Sequence, residues 1–285
     1  VSQNWAASRP RQSLARAAEV SGVGLHSGQT CLLRCLPAAP GTGISFLRTD
    51  LEGSKRIQAS ARKRTEHPRR TALREGSAEV HTVEHLLSAV YVLGIDDLLI
   101  EMDGQEMPGM DGSAQLFLDA LEAAGIVEQD GQVEPLIVTE PLIVEAGAAR
   151  VEVRPLESGL RVSYLLDYPN PILKGQHLEL ELSRGSYRQE IAPARTFCLR
   201  AEAEMLLKMG MGLGATTENT CVYEETGAVD TKLRYPDEAV RHKVLDLIGD
   251  LALLGRPLQA EVRAERSGHE LNAALVTKLL DAYGL

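Results

Sequence analysis

The stretch HTVEHLLSAVYVLG, His81–Gly94, sets the reading of the whole chain. Val83, Leu86, Leu87, Val90 and Leu93 recur at three- and four-residue intervals, the spacing of one helix face, and Gly94 supplies a stop. The pattern predicts a helix starting at His81, with His81, His85 and Ser88 on an adjacent face. Outward from it, a strand is expected over Asp97–Asp103, a turn from Gly104 to Gly112, and a helix from Ser113 to about Ala124, closed by Gly125. The same order returns near the end of the chain. A helix is expected from about Asp237 to Leu254, then Gly255, a strand over Leu258–Val262, a loop through Gly268 and a helix to Gly284.

The two runs superpose by a simple offset: His85 lies nine residues before Gly94, and Asp246 nine before Gly255. The same register sets His81 over His242. Side chains four apart leave an α-helix from one face, so two such helices facing each other can build one metal site. The expectation is an α+β chain with a duplicated domain.

Before the first run, Thr30–Leu36 and Ile44–Leu47 read as strands separated by the Gly- and Pro-rich Pro37–Gly43. Strand period puts Cys31 and Cys35 on one face. With Cys198 and Cys221 they read as reduced thiols, too few for a disulfide framework. Arg62, Lys63, Arg64, Arg69, Arg70 and Arg74 stand against the single acid Glu66, facing either solvent or an anionic ligand. The polar segment Glu128–Pro135 reads as a separator before renewed strands in Leu136–Val144 and Ala149–Val153. This gives an N-terminal domain over residues 1–127 and a C-terminal domain over 136–285.

A length of 285 residues with 44% hydrophobic and 25% charged residues fits a globular chain of two ordinary domains. The 30 Lys+Arg against 40 Asp+Glu leave a net charge of −10, which argues against nucleic acid as the partner. No apolar run reaches the roughly 18 residues of a membrane span, and no charged-then-apolar leader opens the sequence. A cytoplasmic protein without an integral membrane segment is expected.

His81-Thr-Val-Glu-His85 satisfies H-x-x-E-H, the pattern by which inverted zinc peptidases supply two ligands and a base. His242-Lys-Val-Leu-Asp246 adds a second pair, and Asp250 continues its face. A catalytic zinc keeps three protein ligands and a water, so one of the four candidates is a spectator. Glu84 and His269 suit the base and acid of a hydrolysis, with Asp250 orienting the imidazole. Gly210, Gly212 and Gly214 lack the dinucleotide-loop spacing and follow a helical segment.

Taken together, Gly22-Val-Gly-Leu-His26, Thr82-Val-Glu-His85, Glu106–Ala114, Ala194-Arg-Thr-Phe197, Val240–Asp250 and Ser267-Gly-His269 resemble, in content and order, the UDP-3-O-acyl-N-acetylglucosamine deacetylase family, zinc amidases of lipid A biosynthesis. The resemblance runs from about residue 14 to the end. It implies two α+β domains, each a sheet layered on two helices, with the active site between the helix layers. It implies zinc, or ferrous iron in the cell, on His85, His242 and Asp246, with His81 the spectator. Glu84 would be the base, His269 the acid, Asp250 its partner and Thr196 the oxyanion donor.

The resemblance further implies that Lys243 and Arg266 address the diphosphate, that Phe197 packs on the sugar or nucleoside, and that His26 lies in the cleft. Met205, Leu206, Met209 and Leu213 would wall an acyl passage within a β-α-β type insert around residues 197–223. The substrate would be UDP-3-O-acyl-N-acetylglucosamine and the chain a monomer. The chain departs from the family pattern at Cys198, at Gly214–Asn219, and at Arg69 and Arg70, where relatives are often more apolar. The competing readings are an H-x-x-E-H peptidase, which needs His81 as a ligand, and a non-catalytic nucleotide-sugar-binding homologue.

Overall fold

A computed structural model describes residues 7–285; residues 1–6 of the expected N-terminal domain lie outside the described residues. The chain is mixed α+β. Strand Thr30–Pro37 alternates as its sequence dictates: Cys31, Leu33 and Cys35 enter the core while Leu32 and Arg34 face out. It belongs to a sheet ordered Ala18–Val23, Thr30–Pro37, Leu98–Met102, Ile44–Arg48, Ile57–Gln58. A second sheet is ordered Leu142–Ala146, Ala149–Arg154, Leu258–Glu265, Leu160–Leu166, Gln176–Glu181. In each, the third and fourth strands pair in parallel and the other neighbours antiparallel.

Six α-helices accompany the sheets among the described residues: α1 Glu84–Leu93, α2 Gln115–Ala124, α3 Arg184–Ser186, α4 Arg200–Lys208, α5 Glu238–Leu251 and α6 His269–Ala282. A parallel pair needs a long crossover. Helix α1 lies within the crossover from Ile44–Arg48 to Leu98–Met102, and α5 within that from Leu160–Leu166 to Leu258–Glu265. Helix α2 packs on Ala18–Val23, α5 on Leu160–Leu166, and α6 on Leu142–Ala146 and Ala149–Arg154. Helices α1 and α5 pack directly on each other.

That contact explains why their sequences are less two-faced than surface helices. Every residue of α1 is buried, as is every residue of α5 except Arg241. Helices buried all round are normally apolar all round. Here Glu84, His85, His242, Lys243, Asp246 and Asp250 are buried with the leucines and valines, and burying charge is costly unless it is paired or used.

Two expectations need correction. His81 is the last residue of strand Ala78–His81, pairing with Ala72, and the helix begins only at Glu84. Thr82 between them takes a φ of 61°, which no helix continues through, so His81 and His85 do not share a helix face. The polar segment after α2 is strand Ile126–Val133, paired antiparallel with Arg9–Leu14. This two-stranded ribbon leaves most of the segment's side chains in solvent, which made a strand look like a separator. Gly131, at φ 91°, sits in the extra loop where the register jumps between Pro10 and Arg11. Chain passes from this ribbon to the second sheet at Glu134-Pro135, since Leu136–Ile137 already pairs with Leu258–Glu265.

A further subunit of structure is built from Thr196–Leu199 and Thr220–Glu224, paired in parallel, with α4 between them in sequence. All four cysteines are free and buried.

The crossing of α1 and α5 depends on Gly249. A Cβ there would stand 2.2 Å from the carbonyl oxygen of Glu84 and 2.9 Å from its Cα. Backbone cannot yield as a flexible side chain would, so Gly249→Ala is expected to cost about 1–3 kcal/mol, read as a lowered denaturant midpoint. An unchanged midpoint would mean that the two helices separate freely.

Candidate active site

Helix α1 contributes Glu84 and His85 from its first turn, α5 contributes His242, Asp246 and Asp250 from successive turns, and α6 opens with His269. The Nε2 atoms of His242 and His85 stand 3.3 and 3.9 Å from Asp246 Oδ1, and the two rings meet edge to face at 4.9 Å. One ligand atom from each of the three residues falls within 4.8 Å of the others, so this buried set can hold a metal ion.

Its chemistry fits one. His242 Nδ1 lies 3.0 Å from the carbonyl oxygen of Ala194, which fixes that nitrogen as donor and leaves Nε2 with its lone pair toward Asp246. Burial, then His242, pushes the His85 pKa down to about 3, and burial likewise lowers that of His242. Both imidazoles are therefore neutral, as ligands must be. Burial opposes the charge on Asp246, but Lys243, with His269 also close by, holds its carboxyl well below the usual range. Lys243 Nζ donates to Asp246 Oδ2 at 2.8 Å, leaving Oδ1 for the histidine side.

Glu84 and His269 face each other beside this set. His269 Nε2 is 3.8 Å from both Glu84 Oε1 and Asp246 Oδ2, while its Nδ1 is 3.0 Å from Asp250 Oδ2. Burial pushes Glu84 up to about 7, with Asp246 and Asp250 adding to the rise. Burial works against protonated His269, yet Asp250, Asp246 and Glu84 together raise it to about 9. One group is thus poised to accept a proton near neutrality and its neighbour to give one.

Two further residues hold this pair. Thr71 donates its backbone N–H to Glu84 Oε2 at 3.0 Å and its hydroxyl to Asp250 Oδ1 at 2.5 Å. Asn272 donates to Asp250 Oδ2 at 2.8 Å. Asn272 stands three residues after His269 on α6, a spacing that points to a shared face. Thr71 lies far away in sequence and reaches the site only through the tertiary fold.

A cavity of about 700 Å³ opens onto His242, Asp246 and His269. Thr196, Phe197, Lys243 and His26 line it, as does Leu206 of α4. Phe197 stacks edge-on against Tyr168 at 5.7 Å and Tyr223 at 6.1 Å. His26 is held by its backbone N–H, which donates to Glu106 Oε1 at 2.9 Å, while its ring Nδ1 is buried without a partner.

Other expected residues lie elsewhere. Arg266 is outside the lining and pairs with Asp167. Met205, Met209 and Leu213 are 52%, 62% and 57% exposed and do not line the cavity, whereas the neighbouring Ala203 and Leu207 do. The basic stretch divides. Arg64 and Arg69 reach the cavity, Arg69 also pairing with Glu202 of α4 at 2.6 Å, while Arg62 pairs with Asp281 at 2.9 Å and Lys63 with Glu75. His81 meets His67 and Glu79 instead of His85: its Nε2 is 3.4 Å from Glu79 and its ring 4.5 Å from that of His67. A peptidase site that uses His81 and His85 together has no basis in this arrangement.

Comparison with known proteins places the site in context. The family model for UDP-3-O-acyl N-acetylglycosamine deacetylase matches residues 11–281. Among similar curated proteins, the UDP-3-O-acyl-N-acetylglucosamine deacetylase of Acidithiobacillus ferrooxidans is 41% identical over 91% of this chain and 86% of its own. Those of Myxococcus xanthus and a Geobacter species are 39% and 40% identical, covering 95% and 96% of this chain and 86% and 91% of theirs. The match takes in both sheets, nearly all of the three site helices and the segment carrying α4, and the chain belongs to the UDP-3-O-acyl-N-acetylglucosamine deacetylase family.

Proposed function

We propose that this chain hydrolyses the N-acetyl group of UDP-3-O-(3-hydroxyacyl)-N-acetylglucosamine, releasing acetate and a free amine, as a step of lipid A biosynthesis. The observation that carries the reading is the approach of Glu84 and His269 to 3.8 Å beside a buried His₂Asp set. Relatives named for this reaction, alike over nearly the whole chain, supply the substrate class.

His85, His242 and Asp246 hold the metal in this reading, zinc or ferrous iron, since imidazole and carboxylate ligands suit both. When bound, the ion supplies Lewis-acid polarisation of the acetamide carbonyl and lowers the pKa of the attacking water. Glu84 takes the proton from that water. His269, its Nδ1 fixed by Asp250, delivers a proton from Nε2 to the leaving nitrogen. Thr196 donates to the oxyanion of the tetrahedral intermediate.

Phe197 packs on the sugar or nucleoside, and His26 lies beside it in the cleft. Lys243 and Arg266 serve the diphosphate, Lys243 from within the cavity and Arg266 from its present partner Asp167. Leu206 walls the acyl passage together with Leu207, and the exposed Met205, Met209 and Leu213 extend the apolar surface of the same insert. Architecturally, the two sheets with their helices, one within residues 7–133 and one within 136–285, are two copies of one α+β unit, each a sheet layered on two helices with the site between the layers. The shared strand order and pairing sense of the two sheets support this. No helix among the described residues is long and apolar enough to cross a membrane. The net charge of −10 argues against nucleic acid as a partner, and in this proposal the chain acts as a cytoplasmic monomer.

Mass-spectrometric detection of deacetylated product, with chelated and metal-restored protein side by side, tests the reaction. Metal-dependent acetate release is expected; substrate binding without release from folded, metal-loaded protein would favour the non-catalytic homologue. Glu84→Ala and His269→Ala are each expected to lower turnover about 10²–10⁴-fold with the metal retained, the usual share of a general base or acid. His242→Ala is expected to lose the ion held by His85, His242 and Asp246, measured by elemental analysis after desalting.

The pH profile follows from the same pair. Rate rises as Glu84 loses its proton and falls as His269 loses its own. A cation on the neighbouring ligands favours the deprotonated form of both, so the acid limb is expected at or below about 7 and the alkaline limb at or below about 9. His269→Ala is expected to erase the alkaline limb from the residual rate; its persistence would assign that limb to another group.

A further inference from the structure

His81, left out of the catalytic set, sits in a cluster of its own. Glu79 Oε1 is 2.8 Å from His67 Nε2, and Glu79 Oε2 is 3.4 Å from His81 Nε2. One ligand atom from each of the three residues lies within 4.8 Å of the others. Four ligands at zinc-like bond lengths in a tetrahedron stand about 3.3 Å apart, so these spacings match a metal site as closely as the 3.3 and 3.9 Å of the catalytic set.

The surroundings complete the set. Gln105 Nε2 lies 3.3 Å from both His81 Nε2 and Glu79 Oε2, and turning its amide over places the oxygen in the same position as a fourth ligand. Thr65 donates to Glu79 Oε1 at 2.7 Å and Arg74 at 3.1 Å, which fixes the orientation of the carboxylate. Arg74 is half exposed and free to turn toward water once a cation takes its place. Burial, with Arg70 adding, pushes His81 down to about 4, so its imidazole is neutral at physiological pH.

We propose that His67, Glu79 and His81, with Gln105, form a second divalent-metal site of the zinc class, distinct from the His85, His242, Asp246 set. The site joins strand Ala78–His81 to the loop that carries His67, a residue lining the cavity. An ion there ties the loop that carries His67 to strand Ala78–His81. The catalytic assignment is independent of this site.

The test is metal stoichiometry. The full chain is stripped with chelator, loaded with Zn²⁺ or Co²⁺, desalted and counted by elemental mass spectrometry. The wild type is expected to hold two ions, His81→Gln one and His67→Asn one. His242→Ala is expected to keep one, with the Co²⁺ absorption of the remaining site. His67 lies on a loop and is partly exposed, so its variant tests the site even if the buried His81 variant does not fold. A single ion in the wild type overturns the proposal. So does a second ion that survives both substitutions, since it would then sit on Glu84, Asp246 and His269.

Discussion

Everything at the site depends on how closely α1 and α5 cross. Gly249 meets the backbone of Glu84 with no room for a methyl group, which sets the helix separation near its lower limit. At that distance the first turn of α1 faces the middle of α5, and His85 comes edge-on against the His242 ring. A wider crossing with ordinary side chains between would leave two imidazoles and a carboxylate on separate helices. Close contact turns them into one set of donors.

The same closeness separates the behaviour of carboxyl groups that burial alone would treat alike. Asp246, against Lys243 and His269, stays charged. Glu84 is fully buried with His269 beside it but no counterpart to Lys243, and Asp246 and Asp250 stand nearby, so its proton is held to about 7. Asp250 in turn is saturated by Thr71, Asn272 and His269, and its charge is spent on keeping the imidazole protonated. Base, acid and ligand are thus sorted by neighbours more than by residue type.

Much of this was legible in the sequence because it is local. Period 3.6 with a terminal glycine located α1 and α5, and i, i+4 spacing put His242 and Asp246 on one face. His81 misled for an equally local reason: three helix-like letters precede Glu84, but Thr82 turns the chain, and a φ of 61° leaves no periodic trace. The ribbon Ile126–Val133 was misread because a strand pair in solvent has no apolar alternation to display. Thr71 was invisible because its role is fixed by a residue 179 positions away. Spacing also carries no information on which apolar residues of the insert border the cavity: Leu206 and Leu207 do, and Met205 and Met209 do not.

One long-range tie makes the separate pieces a single instrument. Glu238, fully buried in the first turn of α5, accepts from Arg195 through both the backbone N–H at 3.0 Å and the guanidinium at 2.8 Å. The next residue is Thr196, and the preceding carbonyl, that of Ala194, is the one that fixes His242. Removing one partner of a buried ion pair typically costs about 3–5 kcal/mol, so this short segment cannot drift along the helix. Strand Thr196–Leu199 therefore takes its position from the same helix that carries His242 and Asp246. The hydroxyl proposed to meet the oxyanion and the ligands proposed to meet the metal are set by one element, and a shift of α5 moves both together.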